Sequence, residues 1–187
     1  MGAQVYDAIV IGAGSVGLPT AVSLAEAGLA TLVLDQFAGP GQGSNKCAIG
    51  GIRATHSSPG KIRLCLDSLR VFSGWQANHG DNIEWVEGGY VFVAYREQEE
   101  RALKDLLRVQ QGHGLNIRWL DRDEMIALVP GISRDGLRGG TYSPDDGSAS
   151  PLMSAAAFYR RAIELGVQFR FGERVTAIIK RHGGVVG

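Results

Sequence analysis

Three glycines at fixed spacing, Gly12-Ala13-Gly14-Ser15-Val16-Gly17, followed by an acid at Asp35, form the pattern in this chain that is best suited to chemistry. Such a pattern fits a dinucleotide pyrophosphate: the first glycine permits a tight turn, the second lets backbone approach the phosphates, and the third lets helix and strand pack closely. Alone it is a weak signal, because a chain with 27 glycines produces one by chance. Its surroundings make it specific. It follows the nearly continuous apolar run Val5-Tyr6-Asp7-Ala8-Ile9-Val10-Ile11, opens a helix over 15–27 closed by Gly28, and leads to a second apolar run, 30–34, that stops at Asp35. That is one βαβ unit of roughly 30 residues, with the free N–H groups and positive dipole end of a helix N-terminus aimed at the phosphates. Asp35 would accept from ribose hydroxyls and repel a 2′-phosphate, which favours FAD or NAD over NADP.

The segment 36–60 separates the two cofactors. It carries Gly39, Gly41, Gly43, Gly50, Gly51 and Gly60 without a clear period, and it far exceeds the usual loop of about 4 to 6 residues. Small residues permit close backbone approach to a long, extended ligand, and Ser44, Asn45 and Lys46 can donate to phosphate or ribityl oxygens. FAD fits better than NAD on this ground, with an NAD-only dehydrogenase as the alternative.

Around these residues the chain reads as α/β. Ser58-Pro59 starts a helix whose stripe is Ile62, Cys65, Leu66, Leu69 and Phe72 and whose end is near Gly80. Residues 84–94 alternate about Gly88-Gly89 as a hairpin would, with Trp85, Val86, Tyr90 and Phe92 packing. A charged amphipathic helix over 96–111 follows, then a short strand at 117–120, and a helix that Asp121 and Glu124 cap and that ends before Pro130. Its charged face is read as solvated surface, with a subunit interface as the alternative. Ser150-Pro151 opens a further helix facing inward through Leu152, Ala155, Ala156, Tyr159, Ala162 and Ile163 and ending at Gly166. Strands are expected at 167–171 and 175–180, then a hairpin turn at His182-Gly183-Gly184. Pro19, in the first helix, is expected to cost one local hydrogen bond. Because only Val185, Val186 and Gly187 follow that turn, the chain is expected to stop inside a fold, incomplete at the C-terminus.

With 19 Lys plus Arg against 19 Asp plus Glu, and 44% hydrophobic residues, the chain is neither disordered nor a general binder of nucleic acid. No apolar run approaches the roughly 18 residues of a transmembrane segment. Cys47 and Cys65 make neither a CxxC pair nor a disulfide framework, so the cytoplasm is the expected location. Asp145 and Asp146, beside Pro144 and Gly147, read as turn formers, and no metal site is expected.

Taken together, the fingerprint with Asp35, the segment from Gly43 to Arg53, Leu120-Asp121-Arg122-Asp123-Glu124 through Pro130, and Pro144-Asp145-Asp146-Gly147-Ser148-Ala149-Ser150-Pro151 before a helix resemble the D-amino-acid-oxidase-type flavoenzymes. The likeness is greatest to the branch of glycine oxidase, sarcosine oxidase β-subunit and dye-linked proline dehydrogenase. The resemblance covers essentially the whole chain. It implies a Rossmann-like FAD-binding domain with an inserted α+β substrate domain, divided as 1–83, 84–150 and 151–187. It also implies roles: Gly12, Gly14, Ser15, Val16 and Gly17 on the pyrophosphate, and Asp35 and Gln36 on the adenosine ribose. Ser44, Asn45 and Lys46 would reach pyrophosphate and ribityl, Ala48, Ile49, Gly50 and Gly51 would line the isoalloxazine, and Val175 would hold adenine through its backbone. Lys46 has the alternative of capping its loop. Arg53 would stand near the ring system and a substrate carboxylate. His56 would touch substrate or, as the plainer alternative, be solvated.

Members with a histidyl-linked flavin carry His where this chain has Cys47, so FAD is expected to bind non-covalently, a thioether being the alternative. The implied reaction is oxidation of the C–N bond of an amino acid or N-methylated amine by hydride transfer to flavin N5. Two alternatives are an FAD-dependent hydroxy-acid or glycerol-phosphate dehydrogenase, and a non-catalytic nucleotide-binding subunit. The family's C-terminal half, or a partner subunit, is expected to complete the fold.

Overall fold

The computed structural model describes residues 5–181, 184 and 185. Met1 to Gln4, His182 and Gly183 of the expected hairpin turn, Val186 and Gly187 lie outside the described residues. In chain order the elements are β1 (Ala8–Ile11), α1 (Gly17–Glu26), β2 (Thr31–Asp35), a 3-10 turn (Ser44–Cys47), β3 (Gly51–Ile52), α2 (Pro59–His79), β4 (Tyr90–Ala94), α3 (Glu97–Gly112), β5 (Arg118–Leu120), α4 (Arg122–Leu128), β6 (Gly139–Ser143), β7 (Gly147–Ser148), α5 (Pro151–Glu164), β8 (Gln168–Phe171), β9 (Lys180–Arg181) and β10 (Gly184–Val185). They form two units: residues 1–49 with 150–187, and residues 50–149.

The first unit is a parallel sheet in the order β1-β2-β8, with Val10 opposite Val33 and Val33 opposite Phe169. Helices α1 and α5 pack on each other. Leu18, Ala21 and Val22 from α1 and Ala155, Ala157, Phe158 and Ala162 from α5 are buried. In the first turn of α1, Leu18 N donates to Gly14 O and Thr20 N to Val16 O, so Pro19 between them costs one hydrogen bond, as expected.

Three expectations for this unit are corrected. The apolar run at β1 predicts burial on both faces, yet Ile9 and Ile11 are 48% and 56% exposed and line a groove with Val175, Ala177 and Ile178. The strand expected over 175–180 makes a ladder only at Lys180–Arg181, paired with Gly184–Val185. Along α5 the buried face is turned from the expected stripe: Ser154, Ala157 and Phe158 point inward, while Leu152 and Ile163 are exposed.

The second unit holds an antiparallel sheet in the order β4-β6-β5 and a short pair β3-β7. Ala54, Ile62, Leu69, Leu115 and Ile117 form one core, joined by Cys65, Leu66 and Trp85. Helix α2, counted with 1–83 from sequence, therefore shares its apolar face with residues of 84–149. Leu120, Met125 and Leu137 form a second core with Val91, Val93 and Tyr142. The capping box of α4 is present: Asp121 Oδ1 accepts from Glu124 N at 2.9 Å, and Glu124 Oε2 accepts from Asp121 N at 2.9 Å.

The hairpin expected about Gly88-Gly89 does not form. Val86 pairs instead with Ser148, Gly89 N donates to Asp146 O at 2.7 Å, and β4 pairs with β6. The central strand β6 was not anticipated, since Gly139-Gly140 disfavours a strand. Its glycines are a packing requirement: a Cβ on Gly140 would overlap Phe92 O and lie 2.7 Å from Met125 Cε.

Candidate functional site

In the first unit, β1 ends at Ile11 and the chain turns through Gly12, whose φ of +104° lies where glycine is favoured. The three glycines of the fingerprint meet different surroundings. A Cβ on Gly17 would overlap Gly12 O, so that position must be bare for the turn to pack on α1. A Cβ on Gly14 would meet nothing within 4 Å, so Gly14 leaves its backbone open to an approaching group. The N–H groups of Gly14 to Gly17 precede the α1 ladder, and the adjacent side chains of Ser15 and Val16 are exposed.

Asp35 lies at the end of β2 and its carboxylate is tied to this turn. Oδ2 accepts from Ala13 N at 2.6 Å and Oδ1 from Phe37 N at 2.8 Å. Each oxygen keeps a lone pair for a hydroxyl donor. Gly12, Asp35, Gln36 and Val175 line one cleft of about 180 Å³, together with Glu173 and Arg174. Glu173 N donates to Asp35 O at 3.0 Å, which keeps the chain leaving β8 beside β2.

The glycine-rich segment reaches the same turn: Gly41 N donates to Ala13 O at 2.8 Å. Ser44, Asn45 and Lys46 share the 3-10 turn, but Asn45 Nδ2 donates to Pro151 O at 2.8 Å, a structural bond anchoring the segment to the start of α5. Ser44, Lys46, Cys47 and Ala48 are exposed, and Ile49 is 97% exposed. Gly50, at a φ of +83°, and Gly51 belong to the second unit.

In the second unit, Arg53 and His56 line a cavity of about 300 Å³ with Thr55, Phe92, Leu106, Gln110 and Thr141. The Arg53 guanidinium lies over the rings of Tyr90 and Phe92, at 5.4 and 5.2 Å from their centroids. Its Nη1 donates to Thr55 O and, at 3.1 Å, to Thr55 Oγ1. Burial, then the nearby Arg53 and Lys61 charges, push the His56 imidazole down, so it is neutral at pH 7. Gln110, buried on α3, donates from Nε2 to His56 O at 3.2 Å.

Asp146 was expected to be a turn former only. It is fully buried, and its Oδ1 accepts from Ala54 N at 2.9 Å. Burial pushes its carboxyl up, against the Ala54 N–H, the Ser143 hydroxyl, the Arg53 charge and the Thr55 hydroxyl, which all favour the anion. Sequence carried no signal for Thr55, Gln110 or Thr141, because each arrives from a different element. For Asp146 the signal was its place between Pro144 and Gly147, where a buried acid and an exposed one look alike. Among the described residues no cluster of His, Cys, Asp and Glu could hold a metal ion. No helix among them is long and apolar enough to cross a membrane.

A parallel βαβ sheet with a glycine turn, an open helix N-terminus and an acid at the tip of the second strand defines a dinucleotide-binding protein of the Rossmann type. The sequence profile of the FAD dependent oxidoreductase (DAO) family matches residues 7–187, and the chain belongs to that family. It is 30% identical to glycine oxidase of Bacillus licheniformis over 168 residues, covering 86% of this chain and 44% of that one. It is 27% identical to mitochondrial sarcosine dehydrogenase of Mus musculus over 173 residues, covering 92% of this chain and 19% of that one. Among solved structures, L-proline dehydrogenase from P. horikoshii superposes with a TM-score of 0.88 at 24% identity, over 95% of this chain and 47% of that one. Glycine oxidase from Geobacillus kaustophilus does so with a TM-score of 0.80 at 25% identity, over 93% and 48%. The chain thus spans less than half the length of each of these relatives. FAD, the expected cofactor, is the cofactor of the family.

Proposed function

We propose that this chain is the portion of an FAD-dependent oxidoreductase that cradles the nucleotide and begins the substrate site, and that the whole protein oxidises the C–N bond of an amino acid or N-methylated amine. The observation that carries it is the glycine turn, closed at Gly17 and open at Gly14, with Asp35 locked beside it. Relatives named for glycine, sarcosine and proline support the substrate class.

In this reading the N–H groups of Gly14, Ser15, Val16 and Gly17 hold the pyrophosphate, since an open helix start offers donors without a side chain in the way, while Gly12, whose own N–H donates to Leu34 O at 2.8 Å, supplies the tight turn that brings them there. Asp35 and Gln36 take the ribose, and the Val175 backbone takes adenine. Ser44 and Lys46 reach phosphate or ribityl oxygens, with Asn45 anchoring their turn. Ala48, Ile49, Gly50 and Gly51 are assigned to the isoalloxazine. When bound, non-covalently, FAD supplies the two-electron acceptor for a hydride leaving the carbon next to nitrogen. Arg53, with Nη1 spent on Thr55, keeps Nε and Nη2 for a substrate carboxylate and so fixes that carbon. His56, neutral, serves as a hydrogen-bond partner and not as a second cation.

Visible absorption of the purified protein, before and after acid precipitation, tests the reading. Flavin bands that move to the supernatant, and that bleach anaerobically with sarcosine, glycine or proline, are expected. Flavin that stays with the precipitate would overturn the non-covalent assignment, and bleaching by a hydroxy acid alone would overturn the substrate class.

A further inference from the structure

A fully buried carboxylate is costly, and nothing in the packing of the second unit demands one at position 146. Asparagine would accept from Ala54 N equally well, so the 2.9 Å hydrogen bond from Ala54 N to Oδ1 does not by itself account for an acid; what favours the anion besides it are the Ser143 and Thr55 hydroxyls and the Arg53 charge. Among the described residues Asp146 has no ion-pair partner within salt-bridge distance, and Oδ2 has no direct hydrogen-bond partner. The residue it grips, Ala54, is also fully buried and lies between Arg53 and Thr55, the two partners in the guanidinium contact. The backbone of Asp146 completes the frame, since its carbonyl accepts from Gly89 N at 2.7 Å, next to Tyr90, one of the two rings beneath Arg53. One residue thus holds both the segment after β3 that carries the cation and the start of the strand that carries its aromatic floor.

We propose that Asp146 is the positioning residue of Arg53: by gripping Ala54 and facing the guanidinium with a buried negative charge, it fixes the cation over Tyr90 and Phe92 with Nε and Nη2 free for an anionic ligand. The inference rests on Arg53 being the carboxylate anchor, as proposed above. A buried anion near the cation also limits the ligand to a single negative charge, a monocarboxylate and not a phosphate ester.

The test uses this chain labelled with ¹⁵N and follows the Arg53 Nε–H resonance, assigned by its loss in Arg53→Met. In Asp146→Asn the resonance is expected to shift and its exchange with water to accelerate about tenfold or more, with the melting temperature unchanged or raised. Sodium acetate, titrated against chloride at constant ionic strength, is expected to move the wild-type resonance and to bind about tenfold more weakly to the variant. An unchanged Arg53 resonance in Asp146→Asn would overturn the proposal. An altered resonance with no response to acetate in the wild type would leave the positioning intact and overturn the carboxylate reading of Arg53. Should Asp146→Asn fail to fold, Thr55→Val removes the hydroxyl acceptor of Nη1 and is expected to produce the same change at smaller size. No change there, in a folded protein, counts against the proposal. Inorganic phosphate binding more tightly than acetate would overturn the monocarboxylate assignment.

Discussion

The two units of this molecule offer ligands opposite kinds of surface. In the first, the donors are backbone N–H groups at a helix start, the one carboxylate is pinned by backbone donors, and the decisive side chains are missing ones, at Gly14 and Gly17. In the second, the cavity is lined by side chains drawn from three elements and a loop, and its cation is held over aromatic rings, with a buried acid bonded to the N–H of the next residue. A backbone cradle recognises what every dinucleotide shares. A side-chain cavity, in which each position is separately replaceable, is where members of one family part company over substrate.

The contrast can be broken most forcefully at Gly17. Gly17→Val forces the turn away from Gly12 O, and FAD binding is expected to fall about 100-fold or more, with a stability loss of about 1–3 kcal/mol in urea unfolding. Gly14→Val sharpens it: the new side chain enters open space, so stability is expected to stay within about 0.5 kcal/mol while FAD affinity falls by about tenfold or more. Flavin fluorescence quenching and denaturant midpoints on the same samples separate the two. In the second unit, Arg53→Met is expected to raise KM for an amino-acid substrate of the whole protein by about 10- to 100-fold, while FAD affinity is kept. A matching loss of FAD would mean that the cation serves the cofactor instead.

The smallest effect is a pH dependence. Burial raises the Asp146 carboxyl in the folded state, so between its unfolded and folded pKa values the native protein binds more protons than the unfolded chain. Stability from this group is therefore full below about pH 4 and declines as pH rises through the folded value. The stability of Asp146→Asn relative to wild type is expected to increase from pH 3.5 to pH 6 or so, as denaturant midpoints would report. A flat difference would mean that the native environment does not disfavour the anion.

Much of the first unit was legible because its requirements are local. A glycine at a positive φ, a helix start and an acid at a strand tip lie within one stretch of chain, and periodicity gives β1, α1 and β2 together. The same locality explains the reading of α3 and α4, whose charges and capping box act within a turn. What failed was non-local. The exposed face of β1 depends on what lies across the sheet, and Val86 and Gly89 are drawn to Ser148 and Asp146 from a distant part of the chain, where sequence offered a hairpin. Strand β6 was hidden because its glycines answer to Phe92 and Met125, not to strand propensity. Of the residues that line the second unit's cavity, Arg53 was named on the family resemblance and His56 on its place in the long loop, whereas Asp146 announced itself only by its burial.

Whether the first unit is a backbone cradle for the pyrophosphate of FAD is read from amide ¹H–¹⁵N shifts of this chain on titration with FAD and with ADP. Saturable shifts at Gly12, Gly14, Ser15, Val16 and Gly17, produced by both ligands and lost in Gly14→Val, are the predicted result. Saturable FAD binding that leaves these amides unmoved, or NADH moving them where FAD does not, would contradict the account.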